Sequence, residues 1–391
     1  MKFPLGQNVH DQEDIKVMID TLLTEQFTMG KQVETFEKTF ADYLGVKHAV
    51  MVNSGSSANL IALSALINHK YSQQLQPGDE VLIPALCWAT SFAPIVQCGL
   101  VPVFVDIDPK TLNVDLSDLQ KKITDKTKAI LLVHVLGNCT DMFRLMEIVY
   151  NNNLILVEDT CESLGSKSLS RYLGTFGKIG TYSFYYSHHI TTMEGGMVVT
   201  DDDELYELMK CLRAHGWSRN LLNKDEIAEQ YPDIDSRFTF VNLGFNVRPM
   251  EIQAAMGIRQ LGKLATKNDN RKENYRKIKQ KILSNNNNFL SFPQESGDIA
   301  WFGITLFIKD NMDLQSYLRY LTVQGVENRP VITGNMVRQP VIRDLFPNLD
   351  PKTFPGADYC HYKGLFIGLS SNPMTNDSID ELVNILLSYT L

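Results

Sequence analysis

The chain has 391 residues, 44% of them hydrophobic and 21% charged, with a formal net charge of −8. That length fits two globular units or one large one, and the composition excludes a disordered tail or a collagen-like fibre. The negative balance gives no electrostatic footprint for nucleic acid, although basic residues can still gather around a phosphorylated small molecule.

The opening residues, Met1-Lys2-Phe3-Pro4-Leu5-Gly6-Gln7-Asn8, carry no long apolar core and no small-residue cleavage site, so no signal peptide is expected. Apolar runs such as Ala129–Val133 fall far short of the roughly 18 residues a membrane span needs. Cys87, Cys98, Cys139, Cys161, Cys211 and Cys360 are scattered, which argues against a disulfide framework and offers no zinc spacing. The expectation is a cytoplasmic protein with reduced thiols, no metal and no membrane or nucleic-acid partner.

In chain order, Val46–Val52 reads as a strand and Ser56–Asn68, after Gly55, as a helix. Glu80–Ile83 reads as a strand after the turn Pro77-Gly78-Asp79, Thr90–Cys98 as a helix and Val101–Val105 as a strand. Lys128–Val135 and Leu154–Val157 are apolar runs of strand length on either side of the helical pattern Asp141–Asn151, which opens on a good cap. Ile179–Tyr186 and Gly196–Thr200 read as two further strands. Glu204–Ala214, Pro249–Leu264 and Asn268–Leu283 then read as helices, and Asn285–Asn288 as a loop. Trp301–Ile308 reads as a strand, and Asp313–Gly325 and Asp377–Leu387 as helices. Alternating strands and helices imply an α/β fold with a mostly parallel sheet, followed by a smaller C-terminal α+β unit. The division is placed near residue 265, giving units 1–265 and 266–391.

Five segments concentrate chemistry. Asn53–Asn59 lies between a strand and a helix, where small residues either cradle a phosphate or cap the helix in a tight turn. Glu158-Asp159 ends an apolar strand, where a carboxylate can pair with a cationic ring nitrogen or remain solvated. The adjacent His188 and His189 could be a base, a metal ligand or surface residues, and adjacent histidines alone are more often bland. Arg213–Arg219 and Arg329–Asn335 either grip a phosphate or supply ordinary surface charge.

Taken together, the chain resembles the DegT/DnrJ/EryC1/StrS sugar aminotransferases, which are fold-type I pyridoxal-phosphate enzymes. The likeness is carried, in order and spacing, by Gly30–Glu37, Ser54–Leu60, Gly78–Val81, Phe104–Asp108, Glu158-Asp159, Ser183-Phe184, Glu194–Gly196 and Gly244–Pro249. The resemblance implies that Gly55, Ser56 and Ser183 bind the cofactor phosphate, that Trp88 stacks on its ring and that Asp159 pairs with the ring nitrogen. It implies that Glu162 bonds the phenolic oxygen with a shared or retained proton. It also implies that Asn246 reaches the phosphate of a neighbouring subunit, so that a homodimer shares its active sites.

One departure changes the expected reaction. The family's aminotransferases carry a lysine six residues before the Glu of Glu-Gly-Gly; here that place holds His188, and Lys167 and Lys178 do not replace it. An imidazole cannot form a stable Schiff base with the cofactor aldehyde, but it can move protons, its ordinary pKa being about 6.5. The replacement is similar to the sugar 3-dehydratases of the family, in particular the branch acting on GDP-linked 4-keto-6-deoxy sugars. That likeness implies non-covalent pyridoxal or pyridoxamine phosphate and L-glutamate as amino donor. The substrate would be a nucleotide-linked 4-keto-6-deoxy hexose or heptose, which leaves as a 4-keto-3,6-dideoxy sugar. His188, or the adjacent His189, would be the base, and His215, Arg219 and Arg329 would bind substrate. Only Cys211 and Cys360 follow Cys161, so the four-cysteine [2Fe–2S] cluster of a CDP-sugar relative is not expected. A nucleotide-sugar aminotransferase is the alternative.

Overall fold

The computed structural model describes residues 1–6, 9–285, 289–309 and 311–389; Asn286–Asn288, most of the loop expected at 285–288, lie outside the described residues. Seven strands form the main sheet, in the spatial order His48–Val52, Gly196–Thr200, Ile179–Ser183, Ile155–Asp159, Thr127–Val133, Glu80–Pro84 and Val101–Val105. Gly196–Thr200 runs antiparallel to both of its neighbours, and the four pairings from Ile179–Ser183 to Val101–Val105 are parallel. These strands are short apolar runs without strict alternation, the pattern of a sheet buried on both faces. Leu82, Leu131, Val157 and Val198 are accordingly fully buried.

Parallel pairing aligns the carboxyl ends of the strands. Val133, Asp159 and Ser183 are the last residues of their strands, and they line one cavity. Open α/β sheets bind ligands at this end.

Three of the expected elements end differently. Pro249–Leu264 and Asn268–Leu283 form one 34-residue helix, Glu251–Ser284. The break expected at residues 265–267 stays helical, and Asn268, the expected start of the second helix, is buried and donates to the Leu164 carbonyl at 3.2 Å. The strand expected over Ile179–Tyr186 stops at Ser183. Phe184 N then bonds the Gly195 carbonyl, and Thr192 N bonds the Phe184 carbonyl, each at 2.9 Å. Residues 185–191 are thereby looped out, and they carry both histidines.

Glu251, at the start of the long helix, accepts the amides of Gly30, Gln32 and Val33 at 2.8, 2.8 and 3.1 Å. It thus caps the helix Lys31–Leu44, whose own cap residue, Gly30, has no side chain to do so. The C-terminal part holds a four-stranded antiparallel sheet in the order Leu290–Ser291, Gly303–Ile308, Gly364–Gly368 and Asn328–Arg329. The long helix runs through position 265, and Phe3 bridges Val326, so the first residues run beside this smaller sheet. Among the described residues no helix is long and apolar enough to cross a membrane.

Candidate active site

A cavity of about 520 Å³ opens at the carboxyl ends of the main strands. Gly55, Ser56, Trp88, Asp159, Glu162, Ser183, His188 and Arg329 all line it, and Phe302, Pro330, Ile332 and Phe366, from beyond the long helix, complete the lining. Three larger surface clefts, of about 570, 670 and 800 Å³, contain none of these residues.

One wall is the N-terminus of the helix Gly55–Leu66. Ser54 caps it, accepting Ser57 N at 3.1 Å, and the hydroxyl of Ser57 donates to Asn53 Oδ1 at 2.6 Å. A cap of this kind satisfies Ser57 and leaves the amides of Gly55 and Ser56 directed outward, where the helix dipole favours an anion. Gly55 is needed for the fit: a Cβ there would lie 2.5 Å from Ser183 Cβ and 2.9 Å from its hydroxyl. A Cβ at Gly196 would strike the Ser54 carbonyl. Backbone approach at these two glycines sets the helix terminus against Ser183.

Asp159 is nearly buried, and two groups fix its Oδ2: the Asn59 amide at 2.8 Å and the Ser91 hydroxyl at 2.7 Å. Asn59 is held in turn by Thr181, whose hydroxyl donates to its Oδ1 at 2.6 Å. Cys161 N reaches Oδ1 at 3.2 Å, leaving acceptor capacity on that oxygen. The neighbouring Glu158 serves the scaffold instead, bonding His134 and the amides of Gly174 and Gly177.

His188 Nδ1 donates to the Cys161 carbonyl at 2.8 Å, and its ring stands edge-on to Phe302 at 5.0 Å. With Nδ1 carrying the proton, Nε2 holds the lone pair. Burial, the largest influence, pushes the ring's pKa down to about 4, so it is neutral at pH 7. His189 does not line the cavity; it is buried with Nε2 against the Ala300 carbonyl at 2.9 Å. Glu162 accepts Leu136 N at 3.2 Å, and burial raises its carboxyl to about 7, with the charge of Asp159 adding to the rise.

Asn246, His215 and Arg219 are not among the lining residues. They lie around Trp217: His215 packs against its ring at 5.0 Å, and the Arg219 and Arg248 guanidinium groups lie over it at 5.2 and 5.8 Å. Asn246 Oδ1 accepts from Arg248 Nε at 3.0 Å. The adjoining segment exposes Phe238, Phe240 and Leu243, the last 93% accessible.

Residues 8–387 match the model of the DegT/DnrJ/EryC1/StrS aminotransferase family. The chain belongs to this family. It is 39% identical over 390 residues to the GDP-4-keto-6-deoxy-D-mannose 3-dehydratase of Yersinia pseudotuberculosis, covering 99% of this chain and 98% of that one. An Escherichia coli GDP-4-keto-6-deoxy-D-mannose-3-dehydratase with bound hydrated pyridoxal phosphate has a TM-score of 0.91 to this chain at 38% identity, covering 98% and 99%. A structure of the same-named enzyme with a trapped pyridoxal phosphate–glutamate geminal diamine gives 0.91 and 38%, covering 98% and 100%. The architecture is the fold-type I aminotransferase fold.

Asn59, Ser91, the Cys161 carbonyl, the Leu136 amide and Phe302 were not expected in the site. Asn59 stood inside the Asn53–Asn59 segment, and a polar residue four positions after Gly55 on the same helix face was the available signal. Leu136 adopts a positive φ of 51°, which nothing in its sequence announces. Phe302 comes from beyond the long helix, a separation in sequence no local pattern encodes.

Proposed function

We propose that this protein is a pyridoxamine phosphate- and glutamate-dependent 3-dehydratase of a GDP-linked 4-keto-6-deoxy sugar. One observation carries the reading: among the described residues no lysine lines the cavity, and His188 lines it instead. Lys178 is engaged with Asp202 at 3.1 Å, and Lys167 lies over the Tyr172 ring.

The residues present fit the cofactor by their chemistry. Gly55 and Ser56 amides and the Ser183 hydroxyl would hold its phosphate, in a cradle that a Cβ at Gly55 would fill. Trp88, 55% exposed at the cavity, would cover one face of the ring. Asp159, fixed by Asn59 and Ser91, would keep the ring nitrogen protonated, and Glu162 would share a proton with the phenolic oxygen. When bound, the cofactor supplies the amine that condenses with the sugar ketone and a ring able to hold an electron pair.

His188 Nε2 accepts a proton and passes it to the departing C3 hydroxyl oxygen, while the Cys161 carbonyl fixes the tautomer that makes this possible. Phe302 and Phe366 keep water from that side of the cavity. Arg329, the lining guanidinium, would meet substrate phosphate or carboxylate. Asn246, His215 and Arg219 act on the cavity of a second copy in this reading, which makes the protein a homodimer with shared sites. The exposed Phe238, Phe240 and Leu243 beside them support that arrangement.

The test is the reaction in deuterated water with glutamate, pyridoxal phosphate and GDP-4-keto-6-deoxymannose. The expected product is a 4-keto-3-deoxy sugar with deuterium at C3, alongside 2-oxoglutarate and ammonia, without nicotinamide or ferredoxin. A 4-amino sugar that keeps its C3 oxygen would falsify the dehydratase and establish an aminotransferase.

A further inference from the structure

The turn that follows Arg329 is strained, and it is tied to the segment that carries Trp88. Ile332, a β-branched residue, has a φ of 51°, and Gly334 has a φ of 66°. A branched side chain in the left-handed region is unfavourable and persists only where its surroundings over-determine it, typically at functional sites. Here Gly334 N bonds the Val331 carbonyl at 2.8 Å, and a Cβ at Gly334 would lie 2.4 Å from His361 Nδ1. Just beyond, Asn335 Nδ2 donates to Asp358 at 2.7 Å, and its Oδ1 accepts Val337 N at 3.0 Å. The turn so held brings Ile332 to the cavity beside Arg329 and Pro330.

Its other contacts cross to the main sheet. Met336 N bonds the Ala85 carbonyl at 2.8 Å, and the Thr333 hydroxyl donates to the Cys87 carbonyl at 2.8 Å. The Gly334 carbonyl is a longer alternative acceptor for that hydroxyl, at 3.3 Å. Ala85 and Cys87 lie between the strand Glu80–Pro84 and the helix Ala89–Gln97, and both are fully buried. Trp88 is the next residue.

The Cys87 carbonyl and the Trp88 nitrogen belong to one planar peptide, so a bond to that oxygen fixes the plane from which Trp88 departs. At its other peptide, the Trp88 carbonyl accepts Ser91 N at 3.0 Å in the first turn of the helix. Trp88 is thus held by its backbone on both sides. It is 55% exposed at the cavity, which leaves that backbone as its main anchor.

We propose that Thr333 is a positioning residue for Trp88: its hydroxyl, delivered by the strained turn, sets the Cys87–Trp88 peptide so that the indole stands over the cofactor ring. The inference rests on the reading of Trp88 as the residue that stacks on that ring. The turn that brings Arg329 and Ile332 to the cavity thereby also shapes the seat of the cofactor.

The probe is pyridoxamine phosphate, titrated into the full chain by calorimetry, with the near-ultraviolet circular dichroism of the bound cofactor as a second readout. No sugar is present, so the outcome is independent of the reaction the holoenzyme performs. Thr333→Val keeps the side-chain shape and removes the donor. It should weaken binding about three- to tenfold, the worth of one hydrogen bond, and reduce the dichroism; Thr333→Ser should restore both. Trp88→Ala should also weaken binding. In the Trp88→Ala background, Thr333→Val should cause no further loss, because its effect passes through the indole. Losses that add in the double variant overturn the inference. So does a Thr333→Val protein that unfolds more easily yet keeps the wild-type affinity and dichroism, since the bond is then merely structural. Thr333→Ala carries the same test where Thr333→Val does not fold. If Trp88→Ala binds like the wild type, the stacking reading fails and takes the inference with it; if Trp88→Ala binds weakly and Thr333→Val does not, the inference alone is overturned.

Discussion

The Nδ1 of His188 donates to the backbone carbonyl of Cys161 at 2.8 Å, two residues beyond the Asp159 carboxylate. Cys161 N in turn bonds Asp159 Oδ1 at 3.2 Å. One backbone residue therefore holds both His188 and Asp159. His188→Asn keeps a side chain of similar reach but removes the titrating nitrogen. It should lower deoxygenation by about 10²–10⁴-fold and leave cofactor affinity largely intact. Asp159→Asn should instead slow both the glutamate half-reaction and the sugar half-reaction, on the order of 10²-fold. Stopped-flow measurement of the two half-reactions separates these outcomes. Near-native turnover in His188→Asn, with activity lost in His189→Asn, would move the role by one residue.

Glu162 supplies a prediction in pH. Its carboxyl sits at about 7 rather than the usual 4.5, chiefly because burial disfavours the charged form. Between those two values the folded chain holds a proton that the unfolded chain has released. This group's contribution to stability therefore declines as pH rises through that window, and stays constant on either side. Glu162→Gln removes the titration. The stability difference, variant minus wild type, should grow from about pH 4.5 to about pH 7 and then level off. Urea denaturation of both proteins at several pH values measures it, and a difference independent of pH would show that Glu162 is charged in the folded chain.

Glu251 carries a structural prediction. Its carboxylate receives three backbone amides at the start of the helix Lys31–Leu44 and is 2% exposed. Glu251→Ala strands those donors beneath the surface and should cost about 3 kcal/mol. Glu251→Gln retains one acceptor oxygen and should cost less. Chemical denaturation decides the order, and equal losses would mean that packing rather than amide capture sets the contribution.

The main sheet was legible because its strands are short apolar runs separated by turn residues and capped helices; His48–Val52, Glu80–Pro84 and Val101–Val105 lie where those runs fall. The long helix was legible only as two pieces, Pro249–Leu264 and Asn268–Leu283, because residues 265–267 look like a break, whereas the chain stays helical through them and buries Asn268. Within the site, Asp159, Ser183 and His188 stood at strand ends or in a distinctive loop and could be named. Ser91 and Phe302 could not, since each belongs to the site only through tertiary approach: Ser91 bonds an oxygen 68 positions away, and Phe302 arrives from just before the strand Gly303–Ile308. Asn246, His215 and Arg219 were named with the site, yet they gather around Trp217 and not in the cavity of their own chain.

The absence of lysine from the cavity lining gives the last prediction. A lysine enzyme of this family holds its cofactor through an amine of the protein, and borohydride reduction makes that attachment permanent. Here the position six residues before Glu194 is His188, whose ring nitrogens form no stable bond of this type with an aldehyde. Lys178 is held at Asp202, and Lys167 at Tyr172, so neither lines the cavity. Protein loaded with pyridoxal phosphate and treated with borohydride should release the cofactor on denaturation and dialysis, with no mass gain on any peptide. Activity should return when fresh cofactor is added, because reduction has consumed only free or loosely held aldehyde. A phosphopyridoxyl-lysine peptide within residues 160–200 would show that Lys167 or Lys178 reaches the site, and would return the chain to the aminotransferase chemistry of its family.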